Sequence, residues 1–305
     1  MTDKKAYIVA DVGGTYLKTA VMSPDGDLFP GSSSMTEAHS EGSREEILDA
    51  MRDAIIKEKR ILEQNNAKLS GIAMTFPGPF NYYKGVSLME HKFRELKNID
   101  LKECISKMPE VGEEVPVVFR HDANSLLAGE LWRGNAVGYR NAAAVTLGTG
   151  LGFAFSRGGV VQQNEIGGPL ITIFRIPYND GILEDYTSKR GFLSLYKNLS
   201  GKESIDGVEV SDIGKWASEG DPVSQRVFEE VGVILAQSLK PLLKELEIEC
   251  LLFGGQISRS FHCMESKVRE ELKDMKALKN ISVVRSIENA PLWGALQLIE
   301  NNESV

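Results

Sequence analysis

Two stretches of the chain share one hydrophobic pattern, in which a strand of apolar and β-branched residues enters a turn of glycine and threonine. A second strand follows each turn directly. The first stretch comprises Ala6–Val12, Gly13–Thr15 and Tyr16–Met22, and the second comprises Ala142–Leu147, Gly148–Gly150 and Leu151–Ser156. Because both stretches follow one plan, the pattern predicts a fold built from two related halves.

Apolar residues at helical spacing predict helices between these strands and after them. Ser43 and Glu46 form a capping box before a stripe that runs to about Asn65. Asp221 caps a second helix, in which Pro241 is a candidate kink. Further predicted elements are buried strands at Gly71–Thr75, Val115–Arg120 and Cys250–Phe253, a helix that begins at Asp122, and a closing helix at Pro291–Ile299.

The alternation of strands and helices predicts an α/β protein with partly parallel sheets, and the twofold layout predicts two lobes with a cleft between them. We expect the boundary near residue 118. The N-terminal lobe would comprise residues 1–118 together with a C-terminal helix at about 290–305, and the C-terminal lobe would comprise residues 119–289.

Composition narrows the class of protein. A chain of 305 residues with 42% hydrophobic and 26% charged residues excludes a disordered protein and is long enough for two domains. The 35 basic and 43 acidic residues give a net charge of −8, so we expect neither a nucleic acid nor a membrane as partner. Three cysteines without close spacing indicate free thiols and a cytoplasmic location.

The two glycine turns carry the first candidate chemistry. In Asp11–Thr15 a carboxylate precedes glycines, whose backbone N–H groups can turn toward an anion, and a hydroxyl that can donate to it. This suits a nucleotide phosphate with its metal, whereas the alternative is a tight hairpin with Asp11 as a turn former. Because Leu147–Gly152 repeats the turn without an acid, we expect two facing loops that hold one polyphosphate.

Six motifs in order resemble the ROK family of sugar kinases and sugar-responsive repressors. They are DVGGT (Asp11–Thr15), TFPGPF (Thr75–Phe80), HDANSLLAGE (His121–Glu130), LGTGLGFAFSRGG (Leu147–Gly159), NEIGG (Asn164–Gly168) and LLFGGQIS (Leu251–Ser258). The resemblance covers nearly the whole chain. It implies a two-lobed actin-like ATPase fold, which is a duplicated ribonuclease-H-like fold with a central interlobe cleft.

The resemblance also implies a role for each matching residue. Asp122 would be the general base, with a plain helix cap as the alternative, and Asp11 would hold Mg²⁺ through water. The residues implied to bind ATP are Asp11, Gly13, Gly14, Thr15, Gly148, Thr149, Gly150, Gly254 and Gly255. The residues implied to bind the sugar are Gly78, His121, Asn124, Glu165 and Glu184. Asn124 and Glu184 have helix-end roles as alternatives, and Glu165 could be a solvated loop carboxylate.

The chain departs from the family at two places. Gly168 stands where many members have a zinc-binding histidine, and Ile176–Tyr186 lacks the three cysteines of the same site, so we expect no structural zinc. His121 replaces the asparagine that usually precedes the catalytic aspartate. The larger ring changes the shape of the pocket, and we therefore expect an unusual sugar.

These features predict ATP-dependent phosphorylation of a hexose or hexose derivative, at its primary hydroxyl. Two alternatives stay open: a catalytically impaired kinase-like protein that binds or senses sugar, and a kinase whose phosphate donor is polyphosphate. A DNA-binding repressor of the family's design is not expected, because only ten residues precede Asp11. The patterns do not identify the sugar, and they leave a homodimer open.

Overall fold

The computed structural model describes residues 4–300, which form two mixed sheets with helices packed on them. The strands are β1 (Lys4–Val12), β2 (Tyr16–Met22), β3 (Ser34–Glu37), β4 (Ala67–Phe76), β5 (Phe80–Asn81), β6 (Val86–Ser87), β7 (Val117–His121), β8 (Ala142–Leu147), β9 (Leu151–Arg157), β10 (Val160–Val161), β11 (Pro177–Tyr178), β12 (Gly181–Ile182), β13 (Cys250–Gly254) and β14 (Asn280–Val283). The α-helices are α1 (Arg44–Gln64), α2 (Leu101–Ser106), α3 (Asp122–Arg133), α4 (Leu183–Thr187), α5 (Lys189–Ser200), α6 (Val210–Ser218), α7 (Pro222–Glu245), α8 (Glu265–Leu272) and α9 (Ala290–Glu300).

The described chain divides into two compact units. One unit contains residues 4–133, 163–170 and 288–300, and the other contains residues 134–162 and 171–287. The first unit extends past the expected boundary near residue 118, because α3 packs closely against α9. It also includes the NEIGG segment, whose Ile166 carbonyl accepts a hydrogen bond from the Tyr82 N–H (2.8 Å).

The sheet of the first unit has the strand order β3-β2-β1-β4-β7. The β1, β2 and β3 strands form an antiparallel meander, whereas β1, β4 and β7 run parallel. In the parallel part Asp11 lies opposite Thr75, and Phe76 lies opposite His121. Residues at the carboxyl ends of these three strands therefore reach one edge of the sheet.

The sheet of the second unit repeats this plan in the order β10-β9-β8-β13-β14. Its first three strands are antiparallel, and β8, β13 and β14 run parallel. A tight hairpin joins β9 to β10, because Arg157 pairs with Val160 and both intervening glycines have positive φ angles. The predicted twofold plan is thus present strand for strand.

The predicted helix boundaries also agree with the structure. The α1 helix has the capping box of Ser43 and Glu46, and the Asp221 side chain accepts from the Ser224 N–H at the start of α7 (2.7 Å). The α7 helix continues past Pro241 to Glu245. Within residues 4–300, no helix is both long and apolar enough to cross a bilayer.

Two glycines let α3 and α9 approach each other closely. A Cβ added to Gly294 would lie 1.8 Å from the Ser125 carbonyl oxygen, and one added to Gly129 would lie 2.0 Å from that of Ala290. The Ser125 hydroxyl donates to the Pro291 carbonyl across the same contact (2.8 Å). Because Asp122 is the first residue of α3, this contact fixes the helix that carries the candidate base.

We expect Gly294→Ala to destabilise the protein. Alanine gains about 1 kcal/mol in helix propensity, but its methyl group would overlap a backbone carbonyl, so a net loss of about 1–3 kcal/mol in the free energy of unfolding should remain. Urea denaturation would measure the change. Gln297→Ala on the same helix is the control and should stay within about 0.5 kcal/mol of the parent; a Gly294→Ala protein as stable as this control would contradict the close packing.

Candidate active site

The first glycine turn joins β1 to β2 at the sheet edge. The Gly13 N–H donates to the Tyr16 carbonyl (2.9 Å), and the Thr15 carbonyl accepts from the Ala38 N–H (2.9 Å). Among residues 4–300, no acceptor pairs with the backbone N–H groups of Gly14 and Thr15. Two backbone donors in an anchored turn are thus available for an anion.

Asp11 lies two residues before this turn, between Lys18 of β2 and Thr75 of β4. The Thr75 hydroxyl donates a hydrogen bond to Asp11 Oδ1. Burial raises the pKa of Asp11, and the charge of Asp122 raises it further, although Thr75 and Lys18 act in the opposite direction. Both carboxylates lie at one edge of the sheet, because β1, β4 and β7 run parallel and Asp122 directly follows β7.

Asp122 begins α3 directly after β7, and half of its side chain is exposed (50%). Its Oδ1 atom accepts from the Ala123 N–H (2.6 Å) and lies 2.9 Å from His121 Nδ1. Desolvation acts to raise the pKa of Asp122, but the histidine and the backbone N–H outweigh it and hold the pKa below its usual range. Among the described residues, no donor contacts Asp122 Oδ2. One oxygen is therefore fixed and the other is open.

His121 connects Asp122 to the proline-glycine loop. Its Cδ2 and Nε2 atoms lie 3.6 and 3.7 Å from the position of a Cβ on Gly78, and the Tyr82 ring packs edge-on against the imidazole. Tyr82 is buried, and its hydroxyl donates to the Phe76 carbonyl (3.0 Å). The sequence predicts Gly78 and His121 as site residues but not Tyr82. An aromatic residue among apolar residues cannot be distinguished from a residue of the hydrophobic core by sequence alone.

The NEIGG segment lies beside α3 in the same unit. Asn164 Oδ1 accepts from the N–H groups of Ile166 (3.1 Å) and Gly168 (2.9 Å), so this side chain organises the loop. Asn124 Nδ2 donates to the Gly167 carbonyl (3.4 Å), and its buried Oδ1 has no partner among residues 4–300. Glu165 is exposed on the same loop. The first unit thus brings together Gly78, His121, Asp122 and Asn124.

The second glycine turn belongs to the other unit. The Gly148 N–H donates to the Gly150 carbonyl (3.1 Å), and the Gly148 carbonyl accepts from the Lys189 N–H (2.9 Å). Glu184 lies against this turn: its Oε2 accepts from the Leu151 N–H (2.9 Å), and its Oε1 accepts from Arg190 (3.1 Å). One carboxylate oxygen of Glu184 therefore supports the turn, and the other binds Arg190 of α5.

A cavity of about 460 Å³ opens beside the second turn. It is lined by Gly148, Thr149, Lys189, Glu209, Val210, Ser211, Gly214, Lys215, Ser218, Gln256, Ile257, Arg259 and Ser260. Gly254 and Gly255 come directly before Gln256 in the chain, and Gln256 is one of the lining residues. Gly255 must be glycine because a Cβ at this position would lie 2.3 Å from the Leu147 carbonyl oxygen. The sequence did not reveal this cavity, since its residues come from four separate segments.

Metal ligands are few among the described residues. Residues 4–300 contain no group of three or more histidine, cysteine, aspartate and glutamate side chains able to hold a metal. Asp11 and Asp122 nevertheless provide hard oxygen donors in one environment, and the raised pKa of Asp11 means that a nearby cation would favour its charged form. Carboxylate oxygens are the donors that Mg²⁺ prefers, so Asp11 fits such an ion.

We expect Asp11→Asn and Asp122→Asn to change stability in opposite directions near pH 7. The raised pKa of Asp11 means that its charge opposes folding, so Asp11→Asn should increase the free energy of unfolding, and this gain should vanish as the pH falls through the raised pKa toward 3.8. The lowered pKa of Asp122 means that its charge favours folding. Asp122→Asn should therefore decrease stability, and this deficit should disappear only as the pH falls below 3.8.

Urea unfolding of both variants and the parent, from about pH 7 down to about pH 3, measures these differences. Asparagine can still accept the Thr75 hydrogen bond, so the comparison reports mainly on charge. Shifts of the same sign in the two variants at neutral pH would contradict the electrostatic description of the pair.

Comparisons with known proteins identify the fold and the family of this chain. The model of the ROK family matches residues 7–302. A β-glucoside kinase of Listeria monocytogenes is 30% identical over 258 residues, which cover 81% of this chain and 81% of that enzyme.

Solved structures show the same fold. A ROK family glucokinase from Streptomyces griseus, in complex with glucose and AMPPNP, has a TM-score of 0.80 and 21% identity over 96% of this chain and 98% of that one. A ROK family transcriptional regulator has a TM-score of 0.85 and 19% identity over 98% of this chain and 78% of its own. The predicted actin-like ATPase fold is thus confirmed, and the extent of the family match shows that this chain belongs to the ROK family.

Proposed function

We propose that this chain, a sugar kinase of the ROK family, transfers the terminal phosphoryl group of ATP to a hydroxyl of a hexose or hexose derivative, with Asp122 as the general base. The observation that carries the proposal is the state of the Asp122 carboxylate. It is half exposed, has a pKa below its usual range and has one oxygen without a partner among the described residues.

An ionised carboxylate with an open oxygen can accept the hydrogen bond of a sugar hydroxyl and then its proton. His121 and the Ala123 N–H hold the other oxygen, so the carboxylate is oriented before the substrate arrives. In the proposed step, Asp122 Oδ2 orients the attacking hydroxyl and takes its proton as the hydroxyl oxygen bonds to the γ-phosphorus. The bond from that phosphorus to the β–γ bridging oxygen breaks, and ADP leaves with the electron pair. Preorganisation of this kind is most of what phosphoryl transfer needs from a protein.

Two further groups of the first unit support sugar binding. The buried Oδ1 of Asn124 lacks a donor among residues 4–300, and a sugar hydroxyl would satisfy it. Glu165 presents an exposed carboxylate on the adjacent loop, which could accept hydrogen bonds from two neighbouring hydroxyls. Gly78 and His121 would complete the wall beside the base. Substitution of the usual asparagine by His121 leaves the identity of the sugar open.

The glycine turns and the cavity support ATP as the donor. The N–H groups of Gly14 and Thr15 can bind phosphate in the first unit, and Gly148–Gly150 forms a second turn of the same design. The cavity beside that second turn includes the aliphatic side chains of Val210 and Ile257, which suit a nucleoside but add nothing for polyphosphate. Mg²⁺ held near Asp11 through water would neutralise charge on the phosphates.

A sensing protein that binds sugar without turnover is the alternative, and the fold match to a transcriptional regulator is the observation that favours it. The retained base and both phosphate turns favour the kinase. Formation of sugar phosphate from hexoses, N-acetylhexosamines and β-glucosides, measured with ATP and with polyphosphate as donors, separates the two, and coupled ADP release follows the reactions with ATP. Turnover with one sugar and ATP supports the proposal, whereas sugar binding without turnover on any donor supports the sensor.

We expect Asp122→Asn to lower kcat by about 10²-fold or more, because the amide cannot accept the hydroxyl proton. Affinity for the sugar should stay nearly constant, since the amide keeps the size and one acceptor of the carboxylate. Steady-state kinetics and calorimetric sugar titration measure the two effects. Asp100→Asn, which alters a helix cap of the same unit, is the control for loss of a carboxylate. Unchanged turnover in Asp122→Asn would remove this residue from the role of base.

We expect Glu165→Gln to act on the sugar instead. An amide accepts fewer hydrogen bonds than a carboxylate, and the loss of a charge-assisted pair should raise the KM for sugar by roughly 10-fold or more, with a small effect on kcat. The KM for ATP is the internal control. A variant with the parent's KM for sugar would exclude Glu165 from the contact.

A further inference from the structure

The loop before the short 3₁₀ segment Arg94–Leu96 is anchored to the core of the first unit. Phe93 is fully buried, and its ring packs against that of Phe76 (5.3 Å between centroids). Its N–H donates to the Ser40 carbonyl (2.8 Å), and its φ angle of 50° turns the chain sharply. The backbone that carries the preceding residue, Lys92, is therefore fixed in place although its side chain is exposed.

The side chain of Lys92 crosses the first glycine turn. Its Nζ, Cδ and Cε atoms lie 3.0, 3.1 and 3.3 Å from the position that a Cβ on Gly14 would occupy. Gly14 has no positive φ angle, so backbone conformation does not require a glycine there. The space above its Cα is instead filled by the lysine, which places an ammonium group against Gly14 in the first turn.

No charged side chain among residues 4–300 neutralises this ammonium group. Within residues 4–300, no carboxylate forms an ion pair with Lys92 and no acceptor receives a hydrogen bond from it. Lys18, the other lysine at this end of the sheet, differs because its Nζ donates to the Glu288 carbonyl (3.1 Å). An uncompensated cation beside two unpaired backbone N–H groups makes a set of donors for an anion with several oxygens.

We propose that Lys92 binds the phosphoryl group that is transferred, the γ-phosphate of ATP, and stabilises the charge on its equatorial oxygens. The inference rests on the proposed kinase function. The γ-phosphate is the relevant anion because the first turn follows β1 and Asp122 follows β7, and β1, β4 and β7 run parallel and end at the same edge of the sheet. The phosphate nearest the base is the one that reacts. The loose transition state of phosphoryl transfer carries negative charge on its equatorial oxygens, and the lysine ammonium group supplies a positive point charge beside them.

The test compares Lys92→Met with the parent in nucleotide binding and in turnover. Calorimetric titration with AMPPNP and with ADP reports on the γ-phosphate, because only AMPPNP carries one. We expect Lys92→Met to weaken AMPPNP roughly 10- to 100-fold and to leave ADP within about twofold. The kcat should fall, and the KM for sugar should stay constant. Lys92→Arg retains the charge and should recover most of the AMPPNP affinity.

Lys68→Met is the matched control. Lys68 is also exposed and unpaired within the described residues, but it lies at the amino end of β4, away from the turn. Its variant should bind both nucleotides like the parent. The thermal midpoint of Lys92→Met should match that of Lys68→Met, which separates a lost contact from a damaged fold.

Two results would overturn the inference. Equal loss of AMPPNP and ADP affinity would place Lys92 on another phosphate, and parent-like AMPPNP affinity and kcat in Lys92→Met would remove it from the site. Failure of the proposed function itself is distinguishable, because the parent protein would then show no ATP-dependent phosphorylation of any sugar in the panel.

Discussion

The parallel pairing of β1, β4 and β7 is the constraint on which the candidate site of the first unit depends. Parallel strands end at one edge of a sheet, and ligands of open α/β sheets bind outside those carboxyl ends. Here the three ends carry Asp11, Thr75 and the pair His121–Asp122. A register shift of one residue in β4 would turn Thr75 to the opposite face and remove the hydrogen bond to Asp11.

The two carboxylates at this edge differ in their electrostatics although they lie close enough to influence each other. Asp11 is disfavoured as an anion by burial and by its neighbour, whereas Asp122 is favoured as an anion by His121 and a backbone N–H. Their environments push the two pKa values apart, which is how one site can supply an ionised base and a group that gains from a cation. Only one of the two sheets carries an acid at this position. Asp11 precedes the first turn, whereas the second turn, Gly148–Gly150, has no acidic residue in the strand before it.

Local patterns were sufficient for the elements and for much of the site. The capping box of α1, the first turn and the start of α3 at Asp122 depend on residues close together in sequence, and each is present in the structure. Contacts between distant segments could not be inferred in this way. The extent of the first unit depends on Gly129 meeting Ala290, and the cavity beside the second turn depends on four segments.

The contacts of two individual side chains, Glu184 and Lys92, could not be inferred from the sequence either. Glu184 was expected at the sugar, but its two oxygens contact Leu151 and Arg190 beside the second turn, and neither partner follows from a motif. Lys92 carried no signal at all, since an exposed lysine in a polar loop has no distinctive spacing. Its place depends on the buried Phe93 that follows it, and the depth of an aromatic side chain is a property of the folded core.

The contact between α3 and α9 also determines when the first unit can finish folding during synthesis. Most of that unit is encoded before residue 134, yet the helix that carries Asp122 lacks its partner until Ala290–Glu300 has left the ribosome. Residues 134–162 and 171–287 are translated in between and form the second unit. The side of α3 that packs on α9 therefore lacks this cover while more than a hundred residues emerge, and Asp122 gains this support only once Ala290–Glu300 has been made.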